Sequence, residues 1–179
     1  MVTKENFYYL LRPILGTVVF IVIFIYGRPS FINFILSIPP VLIGEYIRVL
    51  AASSGKQWQR SYKLMREEVI DEGIYEMMRH PFYVGNFLII NGFLIFFGVL
   101  FFLYALIFLL SFLYFITLAK VEEKYLGEKV DYKSYKKQVP FFSFRLEASL
   151  NKRGIKQEFP TLLICLLVYI AGIMKIFFL

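Results

Sequence analysis

At 179 residues the chain is long enough for one compact unit and too short for two ordinary soluble domains. Its 59% hydrophobic and 20% aromatic content, with a mean hydropathy of +0.65, lies well beyond the roughly 45–50% apolar share of a soluble domain and excludes a water-soluble globule. The net charge of +7 sits on cations that flank apolar runs, which the positive-inside tendency explains without a nucleic-acid partner.

The first apolar stretch runs over 8–26 and is interrupted by Arg12 and Pro13 near its start, where proline suits the first turn of a helix. Met1 to Asn6 carries one lysine and no clean cleavage site follows, so this stretch is expected to be a span rather than a signal peptide. Gly27-Arg28-Pro29-Ser30 is a tight turn, and 31–52 forms a second span that pairs with the first as a hairpin. Pro39 and Pro40 are expected to kink it. Glu45 and Arg48 stand three apart on one face of that helix. An arginine near hydrocarbon needs a partner or a cavity, and Glu45 is the nearest candidate. The pair reads either as a structural ion pair or as an anion-orienting arginine held by its glutamate.

Ser53 to Arg79 is a polar connector with Lys56, Arg60, Lys63, Arg66 and Arg79 as its cations, and with Trp58 and Tyr62 suited to an interfacial belt. From residue 81 to 119 there is no Asp, Glu, Lys or Arg. As one helix this run would extend ~58 Å, about twice a ~30 Å hydrocarbon core, so it must fold back on itself. Gly98 is the expected turn, giving spans 82–97 and 99–119, and Gly85 and Gly92 leave a small-residue face for close helix contact. A second polar segment, from Ala119 to Glu158, carries ten cations against Arg28 alone in the short opposite turn. Both polar segments are therefore expected on the cytoplasmic side. A fifth span, 159–179, closes an all-α polytopic membrane protein of about five transmembrane helices. Cys165, the only cysteine, lies in that span and has no cysteine with which to form an intrachain disulfide.

With this topology Arg79 and His80, at the start of the third span, lie level with Glu122 and Glu123 at the end of the fourth. Pro81 fits the first turn of a helix whose open N–H groups favour an anion. His80, Tyr83 and Phe87 share a face, and Tyr75 precedes them. Taken alone, His80 reads as a hydrogen-bonded structural residue and the Glu pair as solvated carboxylates. No metal site is expected around a single histidine with no cysteine nearby. Together these residues make a basic, amide-rich end and a carboxylate end, which would suit a zwitterion such as S-adenosylmethionine.

The pattern Gly73-x-Tyr75-x-x-x-Arg79-His80-Pro81-x-Tyr83-x-Gly85 with a downstream Glu122-Glu123 resembles the membrane methyltransferases of the isoprenylcysteine carboxyl methyltransferase and phospholipid methyltransferase group. Gly44-Glu45-x-x-Arg48-x-x-Ala51, with Gly55 and Trp58, resembles the segment preceding that signature. Tyr132, Tyr135 and Val139-Pro140 resemble the group's tyrosine-rich tail. Two departures stand out: Val130-Asp131 where Phe-Gly is usual, and Phe141 where an arginine often follows Val-Pro.

The resemblance implies an S-adenosylmethionine site bordered by His80, Tyr83, Gly85, Glu122 and Glu123, with Tyr75, Arg79 and Pro81 as further cofactor-binding candidates and Tyr132 and Tyr135 added from a cytoplasmic C-terminal segment. It also implies that Arg48, steadied by Glu45, orients an acceptor carboxylate near Tyr83. The favoured acceptor is the carboxylate of an isoprenylated cysteine or a relative, in the cell membrane of a prokaryote or the endoplasmic reticulum of a eukaryote. The alternatives are methylation of a phospholipid amine or thiol, a sterol-reductase-like NADPH enzyme, whose signature carries an acidic residue where this chain has Asn86, and a non-enzymatic membrane interaction protein.

Overall fold

The structure is a computed structural model and describes residues 4–54, 70–129, 132–143 and 145–178. Gly55, Trp58, Tyr62 and the connector cations Lys56, Arg60, Lys63 and Arg66 lie outside the described residues, as do Val130 and Asp131. Among the described residues six α-helices follow in chain order: α1 Lys4–Tyr26, α2 Phe31–Ser54, α3 Pro81–Phe97, α4 Phe101–Lys129, α5 Tyr132–Gln138 and α6 Lys152–Phe178, with a 3-10 turn at Gly73–Glu76 before α3.

Three of these helices are long and apolar enough to cross a bilayer, over Phe31–Ser54, Phe101–Gly127 and Lys152–Phe178. Pro13–Tyr26 and Pro81–Phe97 are shorter apolar helices, and the 17 residues of α3 reach only ~26 Å at ~1.5 Å per residue. By length and composition together, three of the five expected spans are present among the described residues. Three boundaries also move. Helix α1 begins at Lys4 and runs through Pro13, which sits inside it rather than in its first turn. Helix α4 continues ten residues beyond Ala119, and α6 begins at Lys152 rather than 159. Hydropathy marks where lipid contact ends, whereas the backbone ladder continues through Lys- and Glu-rich turns of good helix propensity. Pro39 and Pro40 lie inside an unbroken α2.

Helices α2 and α3 pack most intimately, and glycine makes this possible. A Cβ on Gly44 would stand 2.7 Å from the Gly85 carbonyl oxygen, and one on Gly85 would stand 2.7 Å from the Gly44 oxygen. One turn pair further along, Gly92 faces Val41 and the Ser37 carbonyl. Without a hydrophobic driving force between helices in lipid, such close backbone approach supplies the attraction. The expected turn at Gly98 is present as a left-handed cap, φ 54° and ψ 45°, which glycine adopts without steric cost.

The main apolar core joins Ile23, Val41, Ile89, Phe93, Leu94, Phe96, Phe97, Ile107 and Cys165, drawn from five helices. Outside it, α4 and α6 present Phe101, Phe102, Leu109, Leu110, Leu163, Ile164 and Leu167 to the surroundings. Apolar side chains facing outward around a polar-capped interior are the pattern expected when lipid is the solvent, and the fold fits an integral membrane protein.

Candidate active site

The loop before α3 is fixed on both sides. Ser54 Oγ, at the end of α2, accepts the Ile74 N–H at 3.1 Å, and the Tyr135 hydroxyl donates to the Tyr75 carbonyl at 2.7 Å. The Arg79 N–H donates to the Pro140 carbonyl at 3.1 Å, which draws the chain after α5 against the entrance of α3. Pro81 occupies the first turn of α3, where the absence of an N–H costs nothing.

This framework brings Arg79, His80 and Tyr83 against Glu122 and Glu123 of α4. His80 Nδ1 lies 3.4 Å from Glu122 Oε2, and Nε2 lies 3.2 Å from Glu123 Oε1. The Tyr83 hydroxyl donates to Glu122 Oε2 at 3.0 Å. Arg79 Nη1 approaches Glu123 Oε1 to 2.9 Å, close enough for an ion pair but not aligned as a hydrogen bond, and Lys136 Nζ of α5 reaches Glu123 Oε2 at 2.6 Å. The Tyr132 hydroxyl completes the ring at 3.5 Å from Glu123 Oε1. Aromatic faces enclose the cluster: His80 stacks on Tyr83 with centroids 5.5 Å apart, Tyr83 on Phe115 at 6.0 Å, and Phe141 packs against His80 at 5.2 Å.

His80, Tyr83, Glu122 and Tyr132 are all buried. Burial alone would lower the basicity of His80, but hydrogen bonds to Glu122 and Glu123 and their charges outweigh it and raise its pKa above the ordinary value. Burial, and then the charge of Glu123, raises the Tyr132 phenol, which stays protonated as a donor. Arg79 Nε is buried without a hydrogen-bond acceptor, and Nη1 has only its poorly aligned approach to Glu123. Donors left incompletely satisfied in a dry site are costly and match a ligand carboxylate. With two carboxylates and several aromatic faces beside them, the donor set fits a zwitterion bearing a cationic centre and a flat ring, as S-adenosylmethionine does.

Not every expected residue joins this cluster. The Tyr75 ring is buried among Ile47, Leu50, Ala51, Ile74 and Met78, an apolar environment. Gly85 faces α2, with the Gly44 oxygen and the Arg48 stem filling the place of a side chain, so close packing accounts for it. Tyr135 holds the Tyr75 carbonyl. Lys136 and Phe115 enter the site without having been expected there. Tyr132 and Lys136 lie at i and i+4 on α5, so the helical spacing of the tail could have disclosed the lysine. Phe141, noted as a departure from the arginine pattern, lies 6.0 Å from the Arg79 guanidinium in cation–π geometry.

Arg48 lies on another face of α3. It packs over the Phe82 ring at 5.3 Å and donates from Nη1 to Asn86 Oδ1, whereas Tyr83 and Phe87 look toward α4 through Phe115, Phe108 and Phe112. Its ion-pair partner is Glu158 of α6, at 2.5 Å from Nη2, which also donates to Thr161 Oγ1 at 3.0 Å. Glu45 Oε1 accepts from the Cys165 thiol at 3.0 Å. The carboxylate in ion-pair contact with Arg48 comes from α6, 110 residues away in the chain.

No curated protein and no solved structure matched the chain. The phospholipid methyltransferase family matches residues 32–133, more than half of the 179, and that segment holds α2, α3, α4 and the whole Arg79-His80-Tyr83-Glu122-Glu123 cluster. The chain belongs to the phospholipid methyltransferase family.

Proposed function

We propose that the protein is an S-adenosylmethionine-dependent methyltransferase, a single five-span unit with its site at the cytoplasmic membrane boundary and a lipidic acceptor. The observation that carries this reading is the gathering of Arg79, whose Nε has no acceptor, with buried His80 and Glu122 and the largely enclosed Glu123 side chain in an aromatic setting at one end of the α3–α4 hairpin. When bound, S-adenosylmethionine supplies a methyl already activated on a sulfonium. The Arg79 donors and the start of α3 would receive its carboxylate, and Glu122, oriented by Tyr83 and His80, would face its ammonium. Tyr83, Phe115 and Phe141 exclude water, and Lys136 and Tyr132 hold Glu123 in place. Proximity and exclusion of water are worth up to ~7–11 kcal/mol when well oriented, and a carboxylate acceptor, already anionic, needs no base.

The acceptor favoured from the sequence is an isoprenylcysteine carboxylate, already anionic and oriented by Arg48. One observation favours the phospholipid amine as a second reading: the surroundings of Arg48 hold two carboxyl groups, Glu158 and Glu45, so a carboxylate acceptor would enter as a third. Transfer of labelled methyl to N-acetyl-S-farnesylcysteine and to phosphatidylethanolamine, in detergent micelles, separates the two. Arg48→Ala is expected to abolish transfer to the farnesylcysteine while S-adenosylhomocysteine still binds; unchanged turnover would remove Arg48 from the reaction.

A further inference from the structure

Helix α6 lies beyond the matched segment, yet it reaches into the protein at Glu158, Thr161 and Cys165. Glu158 is 1% exposed. Its carboxylate and the Thr161 hydroxyl take Nη2 of Arg48, and Asn86 takes Nη1. Nε remains, buried and without an acceptor, on a side chain that is itself nine-tenths buried. A pair serving stability alone is poorly served by this arrangement. A bidentate fork would have satisfied Nε as well, and well-packed apolar residues replace buried ion pairs without loss in many proteins.

Resting on the methyl-transfer reading, we infer that Glu158 is a positioning residue for the acceptor side of the site: it fixes the Arg48 guanidinium in one orientation, leaving the Nε–H to donate to a polar oxygen of the acceptor. The acceptor half of the site is thus completed by α6. Neutralising Arg48 in advance also keeps it from binding an anionic acceptor so tightly that the nucleophile is quenched, which favours orientation over ground-state affinity.

Three proteins test this, each purified in detergent: Glu158→Gln, which keeps an oxygen and loses the charge, Glu158→Leu, which leaves Arg48 unpaired, and the double variant Arg48→Met/Glu158→Leu, which removes both charges together. S-adenosylhomocysteine affinity by calorimetry, melting temperature, and KM and kcat are measured with whichever of N-acetyl-S-farnesylcysteine and phosphatidylethanolamine the wild type methylates. The expected result is wild-type S-adenosylhomocysteine affinity in Glu158→Gln with acceptor kcat/KM lowered about tenfold or more, the equivalent of ~1.4 kcal/mol. The double variant regains the melting temperature lost in Glu158→Leu but not the kcat/KM. A double variant that recovers both overturns the inference, as does a Glu158→Gln protein with wild-type kcat/KM, which decides the matter if the double variant fails to fold. Methylation of neither probe by the wild type also overturns it. A wild type that binds no S-adenosylhomocysteine overturns the methyl-transfer reading and the inference together.

Discussion

Replacing Glu123 with Gln preserves volume and removes the charge that three cations share. Lys136 meets one carboxylate oxygen at 2.6 Å, while Arg79 and His80 meet the other at 2.9 and 3.2 Å. The Lys136 side chain is 52% exposed, so its share is that of a surface pair, at most ~1 kcal/mol. The Arg79 and His80 side chains are 12% and 2% exposed and belong to the buried regime, where removing one partner costs ~3–5 kcal/mol. Because the glutamine oxygen still accepts one hydrogen bond, the lower end applies, and Glu123→Gln is expected to cost ~3 kcal/mol. Unfolding in mild detergent measures this, with Lys136→Ala as the internal comparison at no more than ~1 kcal/mol. If Glu123→Gln proves no more destabilising than Lys136→Ala, the buried cluster does not hold the α3–α4 hairpin as described.

Gly85→Ala places a methyl 2.6 Å from Arg48 Cγ and 2.7 Å from the Gly44 oxygen, and is expected to lower stability by ~1–3 kcal/mol. Gly127→Ala, which meets nothing within 4 Å, is expected to be neutral or stabilising, and equal melting temperatures for the two would refute the crossing. The raised His80 pKa has a definite sign: protonated His80 stabilises the fold fully below about pH 6.5, and the contribution is lost as pH rises through the higher folded-state value. Melting temperature should therefore decline as pH rises above 6.5, and His80→Gln should flatten that part of the curve; an identical slope in the variant would count against the linkage. Tyr83→Phe keeps the stacking on His80 and Phe115 and removes the hydrogen bond to Glu122, so S-adenosylhomocysteine affinity should fall by about 10-fold or more, as for a ~1.5–3 kcal/mol charged hydrogen bond.

Features set by local chemistry or by counting were readable in the chain. Gly98 as a turn, Pro81 at a helix start and the meeting of His80 with Glu122-Glu123 follow from proline and glycine geometry and from a charge-free run too long for one crossing. Pairing across distant helices was not readable. Glu45 stood three residues from Arg48 and was the natural partner on a helical face, yet Glu158, distant in sequence, takes the guanidinium because α6 packs on α2, with Gly154 pressed against Ser53. The same limit hid Phe115, whose place depends on how α4 closes over the loop, whereas the i, i+4 spacing from Tyr132 could have disclosed Lys136. The packing of the Tyr75 ring against Ile47, Leu50 and Met78 was likewise not readable, since it depends on how α2 meets the loop before α3.

The central claim, a cofactor site formed by Arg79, His80, Tyr83, Glu122 and Glu123, is tested most directly by calorimetric titration of the purified protein with S-adenosylhomocysteine and, separately, with NADPH. Saturable binding of S-adenosylhomocysteine, weakened in Arg79→Ala and absent for NADPH, is the predicted result. Binding of NADPH alone would contradict it.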